Sequence, residues 1–235
     1  VRNLSTMPRV FDIPWKRKKF SCVLDLSLQD EPISTSLKDR SGNGNDGIII
    51  NESWTKLSNG LWCLSLNGTD SYVYCADSSS LDITNNISIE VWLKFNDTPA
   101  VGAAWSISEK GGRGGGTNNW ALYTENNNTT LRFGAGFGGV WVSYGAIGTQ
   151  LGIGEWRHVV ITYDGTNIRS YLDSVMDLNE LESGVLSTND TALNICGNSD
   201  YVNGFLGAHR IYTQALTQEE VTYLYRSGRR FFASE

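Results

Sequence analysis

With 235 residues, 40% of them hydrophobic, 25 glycines and only 4 prolines, the chain is neither collagen-like nor disordered. It is long enough to hold one large all-β domain. The formal charge of -6 conceals an asymmetry, because residues 1–19 carry Arg2, Arg9, Lys16, Arg17, Lys18 and Lys19 against the single acid Asp12. Removing those six cations and one acid from totals of 19 and 25 leaves 13 basic and 24 acidic residues, a formal -11, in residues 20–235.

Such a body repels nucleic acid, whereas the arm suits a polyanion, nucleic acid included, or an acidic neighbouring subunit. Arg9, Lys16, Arg17, Lys18 and Lys19 are therefore the expected assembly contacts. No apolar run reaches the roughly 18 residues of a helical membrane span. The first stretch lacks the apolar segment of a signal peptide, and Val1 in place of a methionine fits a signal already removed.

After the arm, Phe20–Leu26 reads as a first strand. The stretch from Leu37 to Gly47 is a tight polar loop, its glycines interleaved with Asn43, Asn45 and Asp46, and Ile48–Ile50 resumes a strand. Leu61–Leu66 and Tyr72–Cys75 flank the turn signal Asn67-Gly68-Thr69-Asp70 and read as a hairpin. In Ile87–Phe95, Ile87, Ile89, Val91, Leu93 and Phe95 alternate with Ser88, Glu90, Trp92 and Lys94, an apolar face that needs a facing sheet.

Residues 96–119, with the Gly111–Gly116 cluster, read as a mobile loop. Strands follow at about 120–124 and 130–133. Gly134–Gly154 holds no charged side chain but includes Phe137, Trp141 and Tyr144. It fits either a central strand buried on both sides or a glycine-aromatic surface offered to a sugar. Trp156–Asp173 is a β-hairpin, with Gly165 supplying a positive φ and Asp164 capping the turn. A polar loop at 174–190 precedes strands at Thr191–Cys196 and Phe205–Tyr212. Thr217 and Glu220 have capping-box spacing for a short helix ending near Gly228.

The predicted architecture is all-β, a two-sheet antiparallel sandwich with a short C-terminal helix behind an extended basic N-terminal arm. Its divisions are 1–19 (arm), 20–228 (domain) and 229–235 (tail). Cys22, Cys63, Cys75 and Cys196 allow three disulfide pairings or four free thiols, and their spacing does not suit zinc. Eight N-x-S/T sequons, at Asn3, Asn51, Asn67, Asn86, Asn96, Asn127, Asn128 and Asn189, exceed what composition alone gives and point to a secreted, cell-surface or virion protein.

Chemistry is not expected. Glu90 stands alone on its strand, whereas glycoside hydrolysis needs two opposed carboxylates. His158 and His209 read as sheet residues. The Gly111–Gly116 run lacks the Lys-Ser/Thr and helix of a phosphate loop. For sugar binding, Trp120, Trp141 and Tyr144 are the candidate stacking rings, because neighbouring glycines lower the surface around them. Trp156 reads as a core anchor. On the early loop, Asp39, Asn43, Asn45 and Asp46 offer hard oxygens that suit calcium, or else cap their own turn without a metal.

Several phrases resemble the concanavalin A-like, laminin-G-like jelly-roll family in the family's order. They are Asp39-Arg-Ser-Gly-Asn-Gly-Asn-Asp-Gly47, Leu64–Val73, Ile87–Lys94, Trp156-Arg-His-Val159 with Tyr163-Asp-Gly165, and Asn203–Tyr212 with Ala215, Leu216, Thr217 and Glu220. The resemblance covers residues 20–228 and implies a jelly roll. It further implies a non-catalytic module that binds glycans or cell-surface proteins, in some members with structural calcium. Gly207 and Ala208 stand where the family often carries an acidic pair, and Asp46 where histidine is more usual. Two functional classes follow: a glycan- or receptor-binding module, or a structural subunit of a virion or other surface assembly anchored by residues 1–19.

Overall fold

The computed structural model describes residues 21–27, 35–51, 53–114, 119–125, 127–198 and 200–232, excepting the side chains of 144–149. The basic arm, with Arg9 and Lys16 to Lys19, lies outside the described residues. In chain order the strands are β1 (Cys22–Leu26), β2 (Ser36–Leu37), β3 (Gly47–Ile50), β4 (Ser53–Lys56), β5 (Trp62–Asn67), β6 (Tyr72–Cys75), β7 (Ile87–Phe95) and β8 (Ser106–Lys110). There follow β9 (Trp120–Thr124), β10 (Thr130–Phe137), β11 (Val140–Gln150), β12 (Arg157–Tyr163), β13 (Asn167–Leu172), β14 (Val175–Leu181), β15 (Leu193–Ile195), β16 (Asn203–Tyr212) and the helix α1 (Gln218–Phe232).

The strands make two eight-stranded antiparallel sheets. The first runs β14-β13-β12-β7-β16-β5-β4, with β1 also on β16. The second runs β11-β10-β9-β8-β15-β6-β3-β2. Ile87, Ile89, Val91, Leu93 and Phe95 of β7 face Leu122, Phe133, Ile107 and Leu193 of the second sheet in one apolar core, the burial their alternation demanded. The 157–172 hairpin forms as read. Gly165 sits at φ 90, and Asp164 Oδ1 accepts the amide hydrogens of Thr166 (2.9 Å) and Asn167 (2.8 Å).

Several expectations change. Asn67–Asp70 does not close a hairpin: β5 belongs to the first sheet and β6 to the second, so the turn is a crossover. Asn67 Oδ1 holds it by accepting from the backbone of Thr69, Asp70 and Ser71. The polar segment after the hairpin contains an edge strand, β14, and the segment taken as a loop before Asn119 contains β8. Gly134–Gly154 is not a central strand, because β11 lies at a sheet edge. Of the two readings open for the cysteines, the thiol form is the one found, with no disulfide among Cys22, Cys63, Cys75 and Cys196.

The first sheet's outer side is covered by α1. Thr217 caps it as read, the Glu220 amide donating to Thr217 Oγ1 (3.3 Å) and the Thr217 amide to Glu220 Oε2 (2.8 Å). The helix does not stop at Gly228. That glycine packs against Trp92, whose Nε1 would lie 2.5 Å from any Cβ placed there, so Gly228 is where the helix touches the sheet. Trp92 stacks on Phe232 and Tyr225, and Trp156 packs beside Phe232, as expected of a core anchor.

Candidate functional site

Because α1 shields the first sheet, the second sheet's outer side is the broad surface that no helix covers among the described residues. Its composition follows from strand parity. On β10, Leu131, Phe133, Ala135 and Phe137 point into the core, so Arg132, Gly134 and Gly136 point outward. Registry then places Tyr123 beside Arg132, Ser143 beside Gly134 and Trp141 beside Gly136 on that outer side. Farther along, Glu109, Asn194 and Tyr74 form a row across β8, β15 and β6.

Glycine determines the shape of this surface. The half-buried Trp141 leans across Gly134, where an added Cβ would meet its ring at 2.4 Å. With no side chain between them, Tyr123 and Ser143 join hydroxyls over β10 at 2.6 Å. Arg113 lies over the Tyr123 ring, 5.2 Å from its centroid. Its guanidinium also pairs with Glu109 Oε1 (3.0 Å) and Asp200 Oδ2 (2.9 Å) and donates to the Ala104 carbonyl (3.0 Å). Buried Glu109 further accepts from Ser106 Oγ (2.6 Å) and Asn198 Nδ2 (3.0 Å). These bonds lock the group, and a preorganised set of donors, acceptors and rings loses little freedom when a ligand docks.

Of the three expected stacking rings, only Trp141 is placed on this surface. Trp120 is fully buried, because its pairing with Ala135 sends it to the core side of β9. It cannot stack on a ligand. Tyr144 pairs with Phe133, and its side chain lies outside the described residues. Tyr123, Arg113, Glu109 and Asp200 were not anticipated. Alternation along β9 carried the signal for Tyr123, since Leu122 and Trp120 must share the face opposite to it.

The early loop brings Asp39, Asn43, Asn45 and Asp46 together as a turn. Asp39 Oδ1 accepts the amides of Asp25 and Ser41 (both 2.9 Å), and Oδ2 accepts Ser41 Oγ (2.8 Å) and the Asn45 amide (3.0 Å). Asp46 accepts from the Asp39 amide (2.8 Å) and pairs with Lys38 (2.8 Å), a bond that holds its carboxyl below the usual range. Asn43 and Asn45 donate to the carbonyls of Cys22 and Val23. Both carboxylates are thus committed to the turn, and the set does not fit a calcium ion. Asp39→Ala removes an almost buried acceptor of four bonds, and we expect it to cost about 2–3 kcal/mol. In thermal melts that loss should be the same in chelator and in added calcium; a calcium-dependent loss would restore the metal reading.

Comparison with curated protein sequences found no match. Among solved structures, the chain is similar to domain 4 of AbnA, an extracellular GH43 arabinanase from Geobacillus stearothermophilus solved with arabinotriose. The identity is 19% and the TM-score 0.67, over 88% of this chain and 98% of that one. It is also similar to the binding domain of Paraclostridial Mosquitocidal Protein 1, at 17% identity and TM-score 0.67 over 88% and 52% of the two chains. A third match is botulinum neurotoxin type C, whose cell entry depends on interaction with two ganglioside molecules. There the identity is 14% and the TM-score 0.66, over 91% and 53%. The chain spans about half the length of the two toxin chains, and at these identities the likeness is one of fold. The family model for the concanavalin A-like lectin/glucanases superfamily matches residues 67–222, well over half of the chain, and the protein belongs to that superfamily.

Proposed function

We propose that the chain is a non-catalytic binding module of an extracellular or surface protein, holding a glycan on the outer side of the second sheet. The observation that carries this is the half-buried Trp141 laid over Gly134, beside the Tyr123–Ser143 pair and the Arg113–Glu109–Asp200 cluster. Aromatic faces offer apolar area to the CH side of a pyranose or furanose ring, while fixed polar groups set the orientation of its hydroxyls. The arabinotriose of the arabinanase domain and the gangliosides of the neurotoxin support a sugar as ligand class.

A binding role also agrees with the carboxylates. Glu90 lies buried under α1 and Glu109 is fully engaged, so neither is poised opposite a second acid for bond cleavage. The test is a glycan array followed by titration calorimetry on the best ligand. Trp141→Ala and Tyr123→Ala should each weaken binding by about tenfold or more. Their melting temperatures should fall by no more than about 4 °C. Undiminished affinity in both variants would remove the site from this face.

A further inference from the structure

A second surface lies on the opposite side of the sandwich, around the aromatic cluster that seats the end of α1. Leu57, Cys63, Trp92, Trp156, Ala208 and Phe232 form its centre, with Leu61, Phe205, Tyr225 and Phe231 packed around them. Cations sit over the rings at its rim. Lys94 Nζ lies 4.8 Å from the Phe205 centroid and 5.5 Å from Trp156, and Lys56 Nζ lies 5.3 Å from the neighbouring Trp62. Arg229 lies over Tyr225 at 5.7 Å and Arg230 over Phe231 at 5.2 Å.

None of these four forms an ion pair with a carboxylate among the described residues. Of the other nine described cations, seven do, namely Lys38, Lys110, Arg113, Arg132, Arg157, Arg169 and Arg210, and the exposed Arg40 and Arg226 do not. The helix C-terminus accounts for basic residues at 229 and 230, because its exposed carbonyls attract cations. It does not account for Lys56 and Lys94, which come from β4 and β7. In a body of formal charge -11, cations held on rings and without carboxylate partners among the described residues form a built anion-facing surface.

We propose that this rim binds an acidic polysaccharide, one bearing sulfate or uronic-acid groups, independently of the glycan face on the second sheet. A polymer fits because the charges are spread over the edge strand β4, the interior strand β7 and the end of α1 rather than converging on one point. A membrane fits less well. Among the described residues, the large apolar side chains most exposed to solvent, such as Val101, Val175 and Leu181, all lie outside α1 and the Lys94–Phe205–Trp156 group, so the rim offers none of them to lipid.

The full chain is titrated with dextran sulfate, neutral dextran and phosphatidylserine vesicles at low and high salt. Two variants are compared: a rim variant, Lys94→Met with Arg229→Gln and Arg230→Gln, and an arm variant, Lys16→Gln, Arg17→Gln, Lys18→Gln and Lys19→Gln. Dextran sulfate should bind, weaken as salt rises, and lose about tenfold or more of its affinity in the rim variant. The arm variant should keep most of that affinity, and circular dichroism should show both variants folded. Loss that follows the arm variant, equal binding of neutral dextran, or a preference for vesicles would each overturn the proposal. An intact rim with Trp141→Ala inactive on its own glycan would show the two surfaces to be separate.

Discussion

Glu90→Ala should lower the folding stability by about 3–5 kcal/mol, the loss expected when one partner of a buried ion pair is removed. Glu90 is fully buried at the centre of β7, beneath α1. Its Oε1 takes Arg210 Nη1 at 2.9 Å and His158 Nε2 at 3.2 Å, and its Oε2 accepts the Tyr212 hydroxyl at 2.6 Å. Arg210 also reaches Asp25 Oδ1 at 2.9 Å, which ties β1 to β16. Burial alone would raise the Glu90 carboxyl, but the Arg210 charge and the His158 and Tyr212 contacts bring it down to about 2, against 4.5 when unfolded.

Removing the carboxylate takes the more buried counter-charge from the Arg210 guanidinium, which keeps its bond to Asp25, and leaves the Tyr212 hydroxyl without that acceptor. Urea unfolding should show a lower midpoint at unchanged slope, because the surface exposed on unfolding stays the same. Glu90→Gln should recover part of the loss, since an amide still accepts a bond but carries no charge. A shift below about 1 kcal/mol for Glu90→Ala would mean that water reaches and solvates Arg210, and that α1 does not seal this layer.

Legibility in the sequence followed burial. Ile87–Phe95 and the 157–172 hairpin show clean alternation because one face of each meets the opposite sheet, and the Asp164-Gly165 turn is set by local chemistry. Thr217 and Glu220 were legible for the same local reason. β14 was not: Val175, Met176 and Leu181 are exposed at a sheet edge, so nothing sorted its residues by polarity. β8 was hidden the other way. Ser106, Ser108, Glu109 and Lys110 are all buried, and three of them are compensated by bonds to distant or neighbouring groups, Lys110 with Asp77, Glu109 with Arg113 and Ser106 with Glu109. The crossover at Asn67–Asp70 carries hairpin turn chemistry but joins different sheets, a choice made by distant packing.

The candidate face shows the same division. Trp120 and Trp141 both neighbour glycines, yet strand parity buries one and exposes the other, and parity becomes certain only once Leu122 and Phe133 are known to share the core. Arg113, Glu109 and Asp200 come from distant segments and meet only in three dimensions, so no local pattern announces them.

The second large effect should appear as a loss of stability on mild acidification, traced to His209. This side chain lies between the sheets, paired in register with Val91 on one side and Leu26 on the other, and neither ring nitrogen finds a hydrogen-bond partner among the described residues. Burial lowers its pKa to about 3, with nearby Glu90 pulling it up and Arg210 pushing it down, against 6.5 when unfolded. The folded state therefore keeps His209 neutral while the unfolded chain takes up a proton.

Stability is full above pH 6.5 and falls as pH drops from 6.5 toward 3, by about 1.4 kcal/mol per unit and so about 2 kcal/mol by pH 5. Glu90 acts in a separate, lower window, from 4.5 toward 2, where its depressed carboxyl begins to protonate in the unfolded chain first. Urea midpoints at pH 7, 6 and 5 isolate the histidine. His209→Leu should flatten the profile across that range and should also raise stability at pH 5, because a buried, unpartnered ring is replaced by an apolar side chain. If His209→Leu retains the wild-type slope, the proton uptake belongs to another group, and the imidazole must be hydrated or paired in solution.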